Sequence, residues 1–80
     1  MILQLTTFGV ARDIIGAGEA SFEFRNGVTV LEVKQFLKER YPALADLQHF
    51  DLAVNESYRP DDFPINEGDE VVIIPPVSGG

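Results

Sequence analysis

Between Glu19 and Arg25 the chain alternates, with Ala20, Phe22 and Phe24 on one face and Glu19, Ser21, Glu23 and Arg25 on the other. That period of two predicts a strand with one wet face. Asn26-Gly27 then marks a turn. An earlier strand is predicted over Ile2, Leu3, Leu5, Thr6, Thr7 and Phe8, which are β-prone. Val10 to Ile15 reads as a short helical turn beginning at Gly9 and closed by Gly16. At Thr29 the pattern changes period. Thr29 and Glu32 form a capping box. Leu31 or Val30, Val33, Phe36, Leu37 and Tyr41 follow on one helical stripe. Pro42 stops that helix at about Tyr41, because the residue before proline avoids helical angles.

The second half of the chain reads as short strands and turns. Ala43 to Phe50 is a loop or a second short helical turn, with Leu44 and Leu47 turned toward the core. Leu52-Ala53-Val54 is a strand ending at Asn55-Glu56, and Tyr58 belongs to its return strand. Arg59 to Asp62 is a surface turn. Pro64 to Asp69 is another, with Ile65 dipping inward. Val71-Val72-Ile73-Ile74 is β-branched throughout, which predicts a central strand buried on both faces. Pro75-Pro76 ends it, since proline donates nothing to a ladder. The order is β–β–α–β–β–β. The first and last strands must pair in parallel if the one long helix is to cover one face. This is an α+β, ubiquitin-like β-grasp arrangement: a mixed sheet of about five strands, one main helix and a flexible C-terminal tail.

Composition narrows the partners more than the fold. Eighty residues make one domain, 1–80, with residues 75–80 as an extended tail. There is no cysteine, so neither disulfides nor thiolate metal sites can staple it. Thirteen acidic against six basic residues give a net charge of −7, which argues against nucleic acid and for basic protein partners. No apolar run approaches a membrane span and no signal peptide is visible, which places the protein in the cytoplasm.

The candidate chemistry lies at the end of the sequence, Pro75-Pro76-Val77-Ser78-Gly79-Gly80. Glycine packs nothing and is costly to order. A diglycine is thin, however, and can thread a cleft that any side chain would block. The group it delivers is the α-carboxylate of Gly80. Six extended residues reach roughly 20 Å at about 3.3–3.6 Å each, and the two prolines stiffen the base.

Four stretches carry a family resemblance: Phe8 through Arg12, Ala53-Val54-Asn55, Gly68-Asp69-Glu70-Val71, and the terminal Pro-Pro-Val-Ser-Gly-Gly. On these the chain resembles, over essentially its whole length, the small subunit of molybdopterin synthase, the MoaD family of ubiquitin-like sulfur carriers. It departs at Ile74, where the family often has an aromatic residue. The resemblance implies a sulfur-donating small subunit of a sulfurtransferase complex with no catalytic side chain of its own. An E1-like enzyme would use ATP to adenylate Gly80, with Gly79 beside it. A persulfide donor protein would then convert it to a thiocarboxylate, a 1-thioglycine. The sulfur would pass to a pterin precursor on the large catalytic subunit, in a heterotetramer, to build the dithiolene of molybdopterin. The chain would bind no cofactor of its own. Phe8, Arg12, Ile74, Pro75, Pro76, Val77 and Ser78 are the implied partner-binding residues, and the exposed sheet face is the implied docking surface.

Other residues carry plainer readings. His49 is the only histidine and has no second ligand type nearby in sequence, so no metal site is expected. Asp61-Asp62 reads as a turn and Ser78 as a small tail residue. Two other functions would use the same tail, a ThiS-like carrier for thiamine, cysteine or tRNA thiolation and a ubiquitin-like modifier of lysines; a third reading is a plain β-grasp interaction domain, for which the terminal Gly-Gly would be a coincidence. Copurification with a large synthase subunit, or high-mass conjugates in extract, would separate them.

Overall fold

The structure, a computed structural model, describes residues 1–47 and 49–76. Strand β1 spans Ile2–Thr6, helix α1 Gly9–Ile15 and strand β2 Glu19–Glu23. A two-residue strand, β3 (Val28–Thr29), leads into helix α2 (Val30–Arg40) and the single turn α3 (Pro42–Ala45). Strands β4 (Asp51–Val54), β5 (Ser57–Tyr58), β6 (Pro64–Ile65) and β7 (Val71–Ile74) follow.

Five strands form one mixed sheet in the order β2-β1-β7-β4-β5, and β3 pairs with β6 in a separate two-stranded ladder. Strands β1 and β7 pair in parallel, Leu5 with Val71 and Thr6 with Val72. All other pairings are antiparallel. The fold is the ubiquitin-like β-grasp.

Alternation along the strands decides which face meets the helix. Leu3 and Leu5 of β1, Leu52 and Val54 of β4, and Val71 and Ile73 of β7 are all buried. They share one core with Val30, Val33 and Leu37 of α2. Phe36 packs edge-on between Phe22 and Phe24, with ring centroids 5.1 and 5.0 Å away. Such pairs add about 0.5–1.5 kcal/mol beyond the area they bury.

The capping box is present. The Glu32 N–H donates to Thr29 Oγ1 at 3.2 Å, and the Thr29 N–H donates to the Glu32 carboxylate at 3.0 Å. Arg25 forms an ion pair with the same carboxylate. Tyr41 caps the other end, donating its N–H to the Leu37 carbonyl at 2.8 Å. Gly16 closes α1 with φ 87°, and its N–H donates to the Arg12 carbonyl at 2.7 Å. A side chain there would be strained.

Several expectations change. Strand β1 ends at Thr6, so Phe8 is not a strand residue but the N-cap of α1. Val30, not Leu31, faces the core; Leu31 is exposed. Strand β7 is not buried on both faces: Val71 and Ile73 are inside, and Val72 and Ile74 are only half-covered. Its central position satisfies its backbone on both sides, but a helix covers only the inner face. Ile65 dips inward as part of a strand, β6, and not of a turn. Ala43–Phe50 resolves partly into α3, with Leu44 buried. Of the expected tail, Pro75 and Pro76 are described without regular structure; Val77, Ser78, Gly79 and Gly80 lie outside the described residues.

Candidate functional site

The outer face of the sheet gathers apolar side chains at the point where β7 runs into Pro75. The register sets the arrangement. Thr6 is level with Val72, so the next outward positions along the same direction are Phe8 and Ile74. From the other side, Tyr58 pairs with Ala53 and Ala53 with Val72, which puts Tyr58 on this same outer face. Phe8, Gly9, Val10, Tyr58, Ile74, Pro75 and Pro76 line an open groove of about 550 Å³.

Phe8 is 48 % exposed, Val10 41 % and Tyr58 67 %. Single exposed apolar residues are ordinary, but three around one groove mark an interaction surface. Gly9 brings the start of α1 against the tail base. It has φ 58°, and a Cβ on it would lie 3.7 Å from Pro75 Cγ.

Four of the sequence-predicted residues come together here: Phe8, Ile74, Pro75 and Pro76. Arg12 is not among the lining residues; its side chain lies toward Gly18, with Nε 3.9 Å from where a Cβ on Gly18 would sit. Val77, Ser78, Gly79 and Gly80 fall outside the described residues. Sequence reasoning missed Gly9, Val10 and Tyr58. The signal for Tyr58 was its place after the Asn55-Glu56 turn, which fixes its register and therefore its face.

A second hollow on the outer face is acidic, lined by Glu19, Asp69 and Glu70 with Ile2, Gln4, Thr6 and Gly68. The apolar groove thus shares its face with carboxylates.

Two of the stretches that carry the resemblance meet in a turn network. Asn55 Nδ2 donates to Asp69 Oδ1 at 3.0 Å, and Asn55 Oδ1 accepts the Glu70 N–H at 3.0 Å. Asp69 Oδ2 accepts the Asn66 N–H at 2.8 Å. Asn55 and Glu56 both have positive φ, 53° and 69°, as a two-residue type I′ hairpin requires. This network ties the β4–β5 hairpin, and so Tyr58, to the segment that enters β7.

Hydrogen bonds hold two carboxylates below the usual range. For Asp69 the largest cause is the Asn66 N–H, followed by the Asn55 side chain. For Glu32 it is the Thr29 N–H, followed by the Thr29 hydroxyl. A depressed folded-state value means the stabilisation is present above the ordinary carboxylate range. It is lost as pH falls through the depressed values. Asn55→Ala removes two hydrogen bonds and a residue that tolerates positive φ. It should cost about 1–3 kcal/mol at neutral pH, and its stability should fall less steeply on acidification. Urea melts of both proteins between neutral and strongly acidic pH check this; parallel acid limbs would contradict it.

Among the described residues no group of three or more His, Cys, Asp or Glu could hold a metal ion, and His49 is exposed. No helix among them is long and apolar enough to cross a membrane.

The sequence profile of the ThiS family matches residues 5–80. A molybdopterin synthase sulfur carrier subunit of Caenorhabditis briggsae is 36 % identical, across 98 % of this chain and 96 % of that one. The corresponding protein of Chlamydomonas reinhardtii is 34 % identical over the full length of both chains. A putative molybdopterin converting factor subunit 1 from Pyrococcus furiosus superposes with a TM-score of 0.82, covering 96 % of this chain and 99 % of that one at 24 % identity. The last of these shows the fold. The profile and the two relatives show more: the chain belongs to the ThiS family, in the group of the molybdopterin synthase sulfur carrier subunits.

Proposed function

We propose that this protein carries sulfur on the carboxylate of Gly80 and delivers it within a molybdopterin synthase. The observation that carries the reading is the apolar groove at the base of a Pro-Pro-Val-Ser-Gly-Gly segment, in a chain whose family match runs through residue 80. A carboxylate is a poor acyl donor because its oxygen is a poor leaving group. An E1-like enzyme therefore adenylates it: a Gly80 oxygen attacks the α-phosphorus of ATP and pyrophosphate leaves. A persulfide sulfur attacks the acyl carbon and AMP leaves. A second thiol then reduces the acyl disulfide and frees the thiocarboxylate. No described side chain acts as acid, base or nucleophile; the body of the protein binds and aims.

Docking supplies the aim. Phe8, Val10, Tyr58 and Ile74 present apolar surface to the large catalytic subunit, and the acidic hollow beside them suits a basic surround on it. Pro75 and Pro76 leave from this groove, so a partner seated there receives the tail. Arg12, whose side chain lies toward Gly18 and outside the groove lining, serves the activating enzyme or the large subunit away from the groove. The protein works in the cytoplasm, with a heterotetramer as its synthase form.

Tyr58→Asp tests the docking surface. Tyr58 is two-thirds exposed, so the fold should survive. Affinity for the large subunit should fall by about 2–4 kcal/mol, the range of a buried aromatic anchor. Calorimetric titration with the purified large subunit measures it, and unchanged affinity with an unchanged melt would remove Tyr58 from the interface.

A further inference from the structure

The Asn26-Gly27 turn lies outside the apolar groove, yet it carries chemistry of its own. The amide carbon of an asparagine side chain is open to attack by the backbone nitrogen of the next residue. A side chain on that next residue obstructs the attack, and glycine has none. Of the three asparagines in the sequence, Asn26, Asn55 and Asn66, only Asn26 precedes a glycine; the other two precede Glu56 and Glu67. Asn55 is also held at both ends of its amide, by Asp69 and by the Glu70 N–H.

The fold grips both reacting groups at Asn26-Gly27. The Val28 N–H donates to the Arg25 carbonyl at 3.2 Å, Gly27 has φ 83° and Asn26 has no positive φ, which makes a type II turn with glycine in its third position. The Gly27 N–H donates to the Ile65 carbonyl at 2.9 Å, and Asn26 Oδ1 accepts the Glu67 N–H at 3.3 Å. Attack needs the Gly27 nitrogen stripped of its proton and turned toward Asn26 Cγ, and a nitrogen whose N–H is given to Ile65 is neither. Asn26 itself is exposed. Both bonds lie at the end of the short β3–β6 ladder, outside the five-stranded sheet. Such an end can open while the core stays closed.

We infer that Asn26 is a spontaneous deamidation site of this protein, and that local release of the turn from Ile65 and Glu67 sets its rate. The Gly27 nitrogen forms a bond to Asn26 Cγ, the Cγ–Nδ2 bond breaks, and ammonia leaves with the proton that Gly27 gives up. Water then opens the cyclic imide. Cleavage of the new bond yields aspartate; cleavage of the original backbone bond yields isoaspartate, which adds one carbon to the main chain. The aspartate product keeps an acceptor for the Glu67 N–H. The isoaspartate product lengthens the turn that leads into β3 and the Thr29 cap, and so draws the Gly27 and Val28 N–H groups away from their carbonyls.

The test compares the folded protein with a synthetic peptide of residues 23–30 in the same mildly alkaline buffer, with products located by peptide mass mapping. Asn26 should deamidate more slowly in the protein, by about fivefold to about 150-fold, the range that two hydrogen bonds supply. A smaller factor overturns the gating. A larger one means that only global unfolding frees the turn, and overturns local release. Product at Asn55 or Asn66 ahead of Asn26 overturns the site. Glu67→Pro and Glu67→Ala then separate the contact from the charge. Glu67 is the second residue of a turn in which the Asp69 N–H donates to the Asn66 carbonyl at 3.1 Å and Gly68 has φ 90°. Proline suits that position, so the fold should survive, and a melt checks it. Both variants lose the carboxylate and only the proline variant loses the N–H. Deamidation at Asn26 should be at least about twofold faster in Glu67→Pro than in Glu67→Ala; equal rates in the two folded variants overturn the part played by Glu67. The comparison with the peptide needs no variant and decides the gating by itself should Glu67→Pro not fold.

Discussion

A Gly79→Val protein should fold normally and fail at activation. Every buried core residue among those described precedes Ile74, so the substitution replaces none of them. Stability should stay within about 0.5 kcal/mol of the parent. The chemistry is another matter. Valine adds a branched side chain beside the carboxylate and narrows the backbone angles open to residue 79. A cleft shaped for two glycines must then widen or hold the carboxylate off line, and about 1 Å of misplacement can cost about a hundredfold in rate. Adenylation measured by pyrophosphate release should therefore fall by at least about a hundredfold. A one-residue extension beyond Gly80 should do the same by moving the carboxylate. Normal rates for either variant would mean that the tail is not threaded.

Leu37→Ala should show the opposite pattern, with the chemistry intact and the fold failing. Leu37 is fully buried on α2, and its carbonyl accepts the N–H of the helix cap, Tyr41. Truncating a buried leucine costs about 2–5 kcal/mol. An 80-residue domain has roughly 4–12 kcal/mol in total at about 0.05–0.15 kcal/mol per residue. The variant should lose a large share of its stability in urea melts, and any remaining folded fraction should still be adenylated. A loss below about 1 kcal/mol would mean that the core repacks around the gap.

These two variants divide the molecule as its sequence does. The helix over Val30–Arg40 was legible because the Thr29–Glu32 capping box and the apolar stripe agree on one start and one face. The parallel β1–β7 pairing followed from the position of that helix between strands. Strands β3 and β6 were not legible: each has two residues, too few for a period, and one of them is a proline. The β-branched run Val71–Ile74 was over-read. Such residues report a half-buried pleated surface as readily as a fully buried one.

Part of the candidate groove was legible in the sequence. Phe8 and the two prolines could be named from the family-like stretches, and Ile74 from its place just before them. The hairpin register gives the face of Tyr58, but its place near Ile74 depends on β4 lying next to β7, and that of Val10 on where α1 packs; a local pattern reports neither. Arg12 was included with Phe8 because the family resemblance runs from Phe8 through Arg12; the short helix α1 carries its side chain toward Gly18 and away from the groove lining.

The most direct measurement is the intact mass of the protein after incubation with ATP and its activating enzyme, with and without a persulfide donor. The expected spectra are a gain of one AMP without the donor, and with it an exchange of one oxygen for one sulfur, both mapped to Gly80. An unmodified Gly80 under both conditions, or sulfur on any other residue, would contradict sulfur carriage at the C-terminus.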